Sequence, residues 1–538
     1  MEKFHSCVSP AGKFIYGIHK PCFEVDNFRE SKIVESLGCL ADGSPINNQD
    51  NYPDGTVKVA EADWIFEIPN PLTFRGATFI NKKWADAACG NSEQIRIKRR
   101  PGFSLSAIFR KEGVSGELIQ KLPDELLLAI ATGSSDPEDL QVLAELSACF
   151  QKDSNGNPAG LCYRQQGGRV AAEIKNHLLF EAAANNPNLP DEYKKVMVLR
   201  PGVQGKSEIV GEYQQDETGI YEYMRKNSYI PGGHYAANMS EKAVRYSIGD
   251  LSFADIRGLR HLYYQRTYTR LARLLGIALP EGQRRLEEAE LETLRQQIQD
   301  KITQKPALGA TLWGWNFGFD YAPTGYRLHA SHQQIHQQYA MIPERIEAYS
   351  GSLNSPEGSI PSYGCGDLVA RVIDQYQMIY QADFFTDYRK AIFANQRMDE
   401  RCGKPSSLIV WQDERVILFV PKAQTSQWEL QIMTIPDQHG RLVGNIAEAD
   451  AAVRKSLDTA ILYAQKALYE RGAEMVTSIE YPKRLNNASQ AQPLIYCLLP
   501  RLPESPGAFS EAQHRYINGH YPEDFAEVCR QALKKQGY

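Results

Sequence analysis

Between residues 408 and 499 the spacing of apolar residues changes period, and that change limits what the chain can fold into. Leu408-Ile409-Val410-Trp411 and Val416-Ile417-Leu418-Phe419-Val420 flank Gln412-Asp413-Glu414-Arg415, the pattern of two strands closed by a four-residue polar turn. Trp428 to Ile435 then alternates large apolar with polar residues, as a half-buried strand does. The period next lengthens. Val453, Leu457, Ile461, Ala464 and Leu468 stack on one side of a helix expected over Glu448 to Arg471, and Gly472 stands where its C-cap belongs. Leu494 to Leu499 returns to strand. A hairpin, a third strand, a long helix and a fourth strand read as an antiparallel α+β unit.

The preceding stretch repeats that order more faintly. Val196 to Arg200 reads as a strand stopped by Pro201-Gly202. Ser252-Phe253-Ala254-Asp255 is a capping box, in which the hydroxyl accepts an orphan N–H and the carboxylate reaches back, and the helix it opens should run to about Gly276. Glu281 to Gln304 is rich in Glu, Arg, Gln and Leu; it reads as an exposed helix, either a solvated excursion between strands or a surface for a partner or a second copy. Each half, about 195–345 and 400–530, ends in a strand closed by proline: Ala340-Met341-Ile342-Pro343 and Cys497-Leu498-Leu499-Pro500. A period this long is not a solenoid.

The first 190 or so residues organise less readily. Trp64-Ile65-Phe66-Glu67-Ile68 is strand-like, Asn47 to Gly55 is a turn cluster, and helices are expected at Glu117 to Ala131 and Val170 to Ala184, with a loop at Asp153 to Pro158 between them. The expected fold is therefore α+β: an N-terminal region of uncertain type (1–190) and two tandem units (191–345 and 346–538), each an antiparallel sheet with helices packed on one side.

Charge and cysteine usage narrow the function classes. A net charge of −5 does not suit a nucleic-acid binder, though local charge can still favour a small anionic ligand. No apolar run approaches the roughly 18 residues needed to span a bilayer, and Met1 to Cys7 lacks the cationic start and apolar stretch of a secretory signal. The ten cysteines include no CxxC pair, so neither a zinc ribbon nor a redox dithiol is indicated. Reduced thiols in a cytoplasm, no membrane and no cofactor are the expectation.

The stretch most informative about chemistry runs from Trp313 to His336: a Gly-rich turn carrying Asn316 leads into His329, His332 and His336. Were this segment helical, the three histidines would share a face and make a metal site. As a strand, His332, Gln334 and His336 share one face while Ile335 and Tyr339 point into the core. The glycines and Pro323 break a helix before the segment and Pro343 stops the element after it, which favours the strand. A surface cluster without chemistry is the plain alternative. In a strand, the arrangement suits phosphorus chemistry. A neutral imidazole is a competent nucleophile near neutral pH, a side-chain amide two residues on can hydrogen-bond the charge that develops, and glycines just upstream let backbone N–H groups approach phosphates.

Gly325, His332 and Gln334 match the spacing of the G-x-S-x-x-H-x-H-x-Q signature, and here the sequence resembles the galactose-1-phosphate uridylyltransferases. These belong to the histidine-triad superfamily together with diadenosine tetraphosphate phosphorylases. The resemblance implies that His332 is the nucleophile and that Gln334 contacts the transferred phosphoryl group, with Asn316 similar to the asparagine that commonly precedes the motif. Phe419-Val420-Pro421 followed by Trp428-Glu429-Leu430 resembles the family's second repeat, and Gly507 to Glu511, Tyr516-Ile517-Asn518 and Pro522-Glu523 resemble its C-terminal end. The sequence departs from the pattern at Ala330, where the family has its first histidine, and at Arg327, where it has serine. Without that histidine or a CxxC no structural zinc is expected.

The implied site is His332 and Gln334 as the catalytic pair, Asn316, Gly325, Arg327, Ser331, His336 and Lys422 around a nucleotide or nucleotide-sugar substrate, and no metal. Trp313 and Trp315 either stack on a base or fill the core, and Pro231-Gly232-Gly233-His234 is a turn that either touches ligand or merely connects. The implied activity is transfer of a nucleoside monophosphate, from a nucleotide sugar or dinucleoside polyphosphate to a sugar 1-phosphate or to phosphate, without a cofactor and in a chain that can form a homodimer. A catalytically inactive nucleotide-binding or scaffold protein of the same fold, and a His-ligated metal protein, are the alternatives.

Overall fold

The computed structural model describes residues 4–19, 36–40, 42–51, 64–72, 76–89, 91–166, 169–186, 188–198, 229–230, 234–235, 247–281, 285–303, 308–318, 336–347, 359–426, 428–485, 487, 491–503 and 517–538. Near the N-terminus, β1 (Gly17–His19), β2 (Ile65–Asn70) and β3 (Gly76–Asn81) pair antiparallel in that order. The main sheet has seven strands: β4 (Ala310–Gly318), β5 (His336–Ile342), β6 (Ile409–Gln412), β7 (Val416–Phe419), β8 (Leu430–Thr434), β9 (Met475–Tyr481) and β10 (Ile495–Pro500). Their order is β5-β4-β9-β10-β8-β7-β6, antiparallel throughout. A last strand, β11 (Ile517–Asn518), returns to the N-terminal sheet and lies parallel to β3.

The sheet runs unbroken across the proposed boundary near residue 345. Strand β4 pairs with β9, from Gly314 opposite Ile479 to Gly318 opposite Met475, so the two halves of the chain share one sheet. The hairpin expected at 408–420 is the β6–β7 pair, with a bulge between Ile409 and Trp411.

Helices cover both faces of this sheet. On one side lie α1 (Phe253–Leu274), α2 (Glu288–Ile302), α5 (Ala451–Glu470) and α6 (Pro522–Lys535), packed on Trp313, Trp315, Phe317, Leu418, Ile432 and Leu498. On the other lie α3 (Gly366–Tyr380), α4 (Phe384–Phe393) and the N-terminal sheet, packed on Ile417, Phe419, Met433, Cys497 and Leu499. The expectation of helices on one side is corrected here, and its physical reason is the central strands: every residue of β7, β8 and β10 is buried, so both faces need cover. The unbroken apolar run Val416 to Val420 carried that message.

Local signals set several helix ends. The Ser252–Asp255 capping box is present at the start of α1. The Asp450 carboxylate caps α5 by accepting from Val453 N–H, and Gly472 follows that helix at φ +100°. The outgoing carbonyls of α5 are taken by Arg99, whose Nε bonds Gly472 O at 2.9 Å and whose Nη2 bonds Tyr469 O at 2.7 Å, which ties the N-terminal region to the second half.

Four expected elements differ. The helix expected at Val170 to Ala184 begins only at His177, because Arg169–Ala172 pairs as a strand with Tyr163–Gln166. The 281–304 segment is not a solvated excursion: Leu291, Leu294, Ile298 and Ile302 of α2 form a buried stripe at helical spacing, hidden in a charged composition. The 117–131 helix is split by Pro123 into a 3-10 turn (Gly116–Lys121) and a helix at Asp124–Gly133. Val196 to Val198 ends a helix, Asp191–Val198, rather than opening a strand; Tyr193 and Met197, one turn apart, are buried together. These last elements belong to a separate core built from residues 119–197, so the region called uncertain contains a small helical unit of its own. Among the described residues no helix is long and apolar enough to cross a membrane.

Candidate functional site

Strand β4 is held in place at both ends by glycine. Gly309 has φ +80° and Gly318 has φ +107°, and a Cβ at either would fall about 2 Å from a carbonyl oxygen, that of Ile342 and of Glu474 respectively. From Thr311 to Phe317 the alternation is strict. Trp313, Trp315 and Phe317 are buried against α1 and its neighbours, while Leu312, Gly314 and Asn316 take the opposite face and are only half-buried. The cover made by α3 and α4 reaches Ile479 and Tyr481 of β9 and includes no residue of β4 or β5. Among the described residues, the outer hairpin of the sheet therefore has one packed face and one open face.

Asn316 stands near the end of that open face. Its Oδ1 accepts from the Thr477 hydroxyl on β9 at 2.6 Å, which fixes the amide and leaves Nδ2 without an acceptor among the described residues. The register partner of Asn316 on β5 is His336. Two residues on, Gln338 is exposed opposite Gly314, where no side chain opposes it. The alternate residues of β5 turn inward: Gln337 Oε1 accepts from Trp313 Nε1 at 2.9 Å, and the Tyr339 hydroxyl accepts from Arg266 at 2.7 Å. The segment is thus a strand from His336 onward, and Tyr339 points into the core as its spacing requires.

A buried polar network lies beneath. The Arg260 guanidinium is fully buried, 3.2 Å from Asp458 Oδ1, 2.7 Å from the Tyr496 hydroxyl and 4.6 Å from the Trp313 ring. Glu480 accepts from Tyr263 (2.8 Å), Thr311 (3.0 Å) and Tyr496. Burial raises the Glu480 carboxyl above its ordinary range, opposed by Arg260 and by these hydroxyls. Burial likewise pushes Asp458 up to about 6, opposed by Arg260 and Tyr264. Because these groups come from α1, β4, α5, β9 and β10, their bonds fix those elements relative to one another. No local pattern announces the network: Arg260 and Asp458 are 198 residues apart.

The other expected site residues fall differently. Lys422 is corrected. It is 1 % exposed and follows β7, four strands from β4; its Nζ lies 3.1 Å from Glu523 Oε1 and donates to Gln396 O at 2.7 Å. Its charge is neutralised in a buried pair and does not reach a phosphate near Asn316. Trp313 and Trp315, 0 % and 2 % exposed, are core residues and not base-stacking platforms. His332 and Gln334, together with Gly325, Arg327, Ser331, His329 and Ala330, lie outside the described residues, as does the turn Pro231 to Gly233. For His336 the backbone alone is described. Sequence reasoning passed over Thr477 and Gln338; the second lies in plain view as the partner of His336 in a second His-x-Gln pair, four residues after the first.

No family model matches the sequence, and no curated protein matches it. Solved structures do overlap with the fold. A uridylyltransferase mutant aligns at a TM-score of 0.32 with 15% identity, over 47% of this chain and 73% of its own. A further uridylyltransferase structure aligns at 0.32 with 14% identity, over 46% and 69%. An ADP-glucose phosphorylase from Arabidopsis thaliana, with bound ADP-glucose, aligns at 0.30 with 12% identity, over 45% and 64%. Overlap of this extent does not place the chain in their family.

Proposed function

We propose that this chain transfers a nucleoside monophosphate through a covalent nucleotidyl-histidine, at the open face of the β4–β5 hairpin. The observation that carries the reading is the register of that hairpin, which sets the histidine-bearing strand directly against Asn316 on an edge of the sheet that the described part of the α3–α4 core does not cover. An imidazole nitrogen attacks the α-phosphorus of a nucleotide sugar or dinucleoside polyphosphate. The bond from phosphorus to the bridging oxygen breaks, and the leaving phosphate departs with the electron pair. An acceptor oxygen, from a sugar 1-phosphate or inorganic phosphate, then displaces the histidine and restores it. The amide of the His-x-Gln pair and the free Nδ2 of Asn316 are donors to the phosphoryl oxygens.

Two histidines fit this role. The family spacing assigns the nucleophile to His332 with Gln334. The strand geometry favours His336 with Gln338, because His336 is the residue opposite Asn316 and Gln338 is the exposed amide two positions on. Intact-mass spectrometry after incubation with a panel of nucleotide sugars and dinucleoside polyphosphates tests both. The expected result is a nucleotidyl adduct on wild type that one of His332→Ala and His336→Ala abolishes. Absence of an adduct with every donor, and no turnover above the doubly substituted protein, would leave a binding or scaffold role instead.

A further inference from the structure

A cleft of about 330 Å³ lies beyond the other end of the same hairpin. It begins just after Ile342, the register partner of Ala310, whereas Asn316 lies six positions along β4. At about 3.4 Å per residue that is roughly 20 Å away, too far for one nucleoside monophosphate to reach both.

Three chain segments build its wall, and each is anchored. A short ribbon pairs Arg345–Glu347 with Ser359–Pro361, and Arg345 bonds both the hydroxyl and the carbonyl of Ser359 at 2.9 Å. Arg484 takes both oxygens of Asp367, in the first turn of α3, at 2.7 Å each, and the Ser362 carbonyl at 2.7 Å. This two-pronged pair holds the guanidinium in a fixed plane. Its remaining nitrogen, Nη1, is buried and has no hydrogen-bond partner among the described residues. One turn further along α3, Arg371 lies 5.0 Å from the centre of the Tyr363 ring and has no acidic partner among the described residues. Tyr363 itself is 61 % exposed.

Each part points to one kind of ligand. A guanidinium with N–H groups to spare recognises a phosphate or carboxylate. An exposed aromatic ring backed by a cation offers its outer face to another flat ring. The carboxylates set a ceiling on charge: Asp367 is paired with Arg484, but Glu344 and Asp374 also line the cleft, so a single phosphate suits it better than a polyphosphate. We propose that this cleft is a second ligand site, which takes one phosphate between Arg371 and Arg484 and stacks a planar base on Tyr363, the chemistry of a nucleoside monophosphate.

Calorimetry on the full chain with AMP, adenosine and ribose 5-phosphate tests this. AMP should bind saturably, with adenosine and ribose 5-phosphate each at least about ten-fold weaker, since each lacks one of the two recognised groups. Tyr363→Ala and Arg371→Gln should each weaken AMP binding about ten-fold or more; both positions are removed from the core, and unchanged circular dichroism and thermal midpoints would show the fold intact. The His332→Ala/His336→Ala protein should retain this binding, which separates it from the proposed nucleotidyl transfer. No saturable AMP binding, AMP binding unchanged in both cleft variants, or binding lost only with the histidines would each overturn the assignment.

Discussion

Replacing Lys422 by methionine separates a structural role from a ligand-binding one. The Lys422–Glu523 pair joins the end of β7 to the first turn of α6, and both side chains are essentially without solvent contact, at 1 % and 0 % exposed. Methionine keeps most of the lysine volume but removes the charge. Glu523 is then left buried with one remaining side-chain donor, Asn395 Nδ2 at 3.0 Å on Oε1, while its Oε2 already has none. Removing one partner of a buried ion pair costs about 3–5 kcal/mol, because the other charge stays behind unpaired. Urea denaturation should show a loss of that size. Lys422→Met/Glu523→Gln should recover a large part of it, since the second change removes the stranded charge. A phosphate ligand would behave in the opposite way: folding stability would hold, and adduct formation would fail. A cost below about 1 kcal/mol in the single variant would refute the buried-pair argument.

Two other perturbations test the scaffold of the site. In the folded protein Asp458 titrates at about 6 against an ordinary 3.8, so the folded state holds its proton more tightly than the unfolded one. The stabilisation this provides is complete below about pH 4 and is lost as pH rises through about 6. The difference in unfolding free energy between wild type and Asp458→Asn should therefore shrink by about 2 kcal/mol from pH 4 to pH 6.5; urea midpoints that track each other across that window would contradict it. Gly318→Ala should destabilise by more than about 2 kcal/mol, combining a left-handed backbone that alanine resists with a Cβ 2.0 Å from Glu474 O; a thermal midpoint within about a degree of wild type would show that β4 does not end as described.

What the sequence made legible follows from the range of the forces involved. The elements between 408 and 500 could be read because hairpins, strands and amphipathic helices each leave a local period, although the alternation at Trp428 to Ile435, which reads as half-buried, belongs to a strand buried on both faces; the cap at Ser252 is a contact within one turn. The single shared sheet could not, because the pairing of β4 with β9 joins residues about 160 positions apart and neither strand encodes the other as its neighbour. The same limit explains Lys422: a lone basic residue after a strand looks like a phosphate ligand until Glu523, on a distant helix, is seen to neutralise it. Composition misled at α2 for a different reason, since four apolar residues at the right spacing suffice to bury a helix whose remaining positions are charged.

The choice between the two histidines turns on where Asn316 stands. Both His-x-Gln pairs have the same parity, so in an extended chain they share a face, but four residues separate them by up to about 13 Å. His336 is the register partner of Asn316, so a phosphate attacked there would come within reach of Asn316 Nδ2, which has no acceptor among the described residues. Were the chain extended upstream of His336, a phosphate attacked by His332 would lie beyond that amide. Asn316→Ala removes a half-buried side chain whose single bond is to Thr477, so its effect on folding should be about 1 kcal/mol. Its effect on adduct formation is therefore diagnostic. A loss of about ten-fold or more, alongside loss in His336→Ala, places the phosphoryl group at the hairpin; an unchanged rate alongside loss in His332→Ala places it upstream, as the family spacing implies. The open face of β4 would then guide the acceptor rather than the reacting phosphorus.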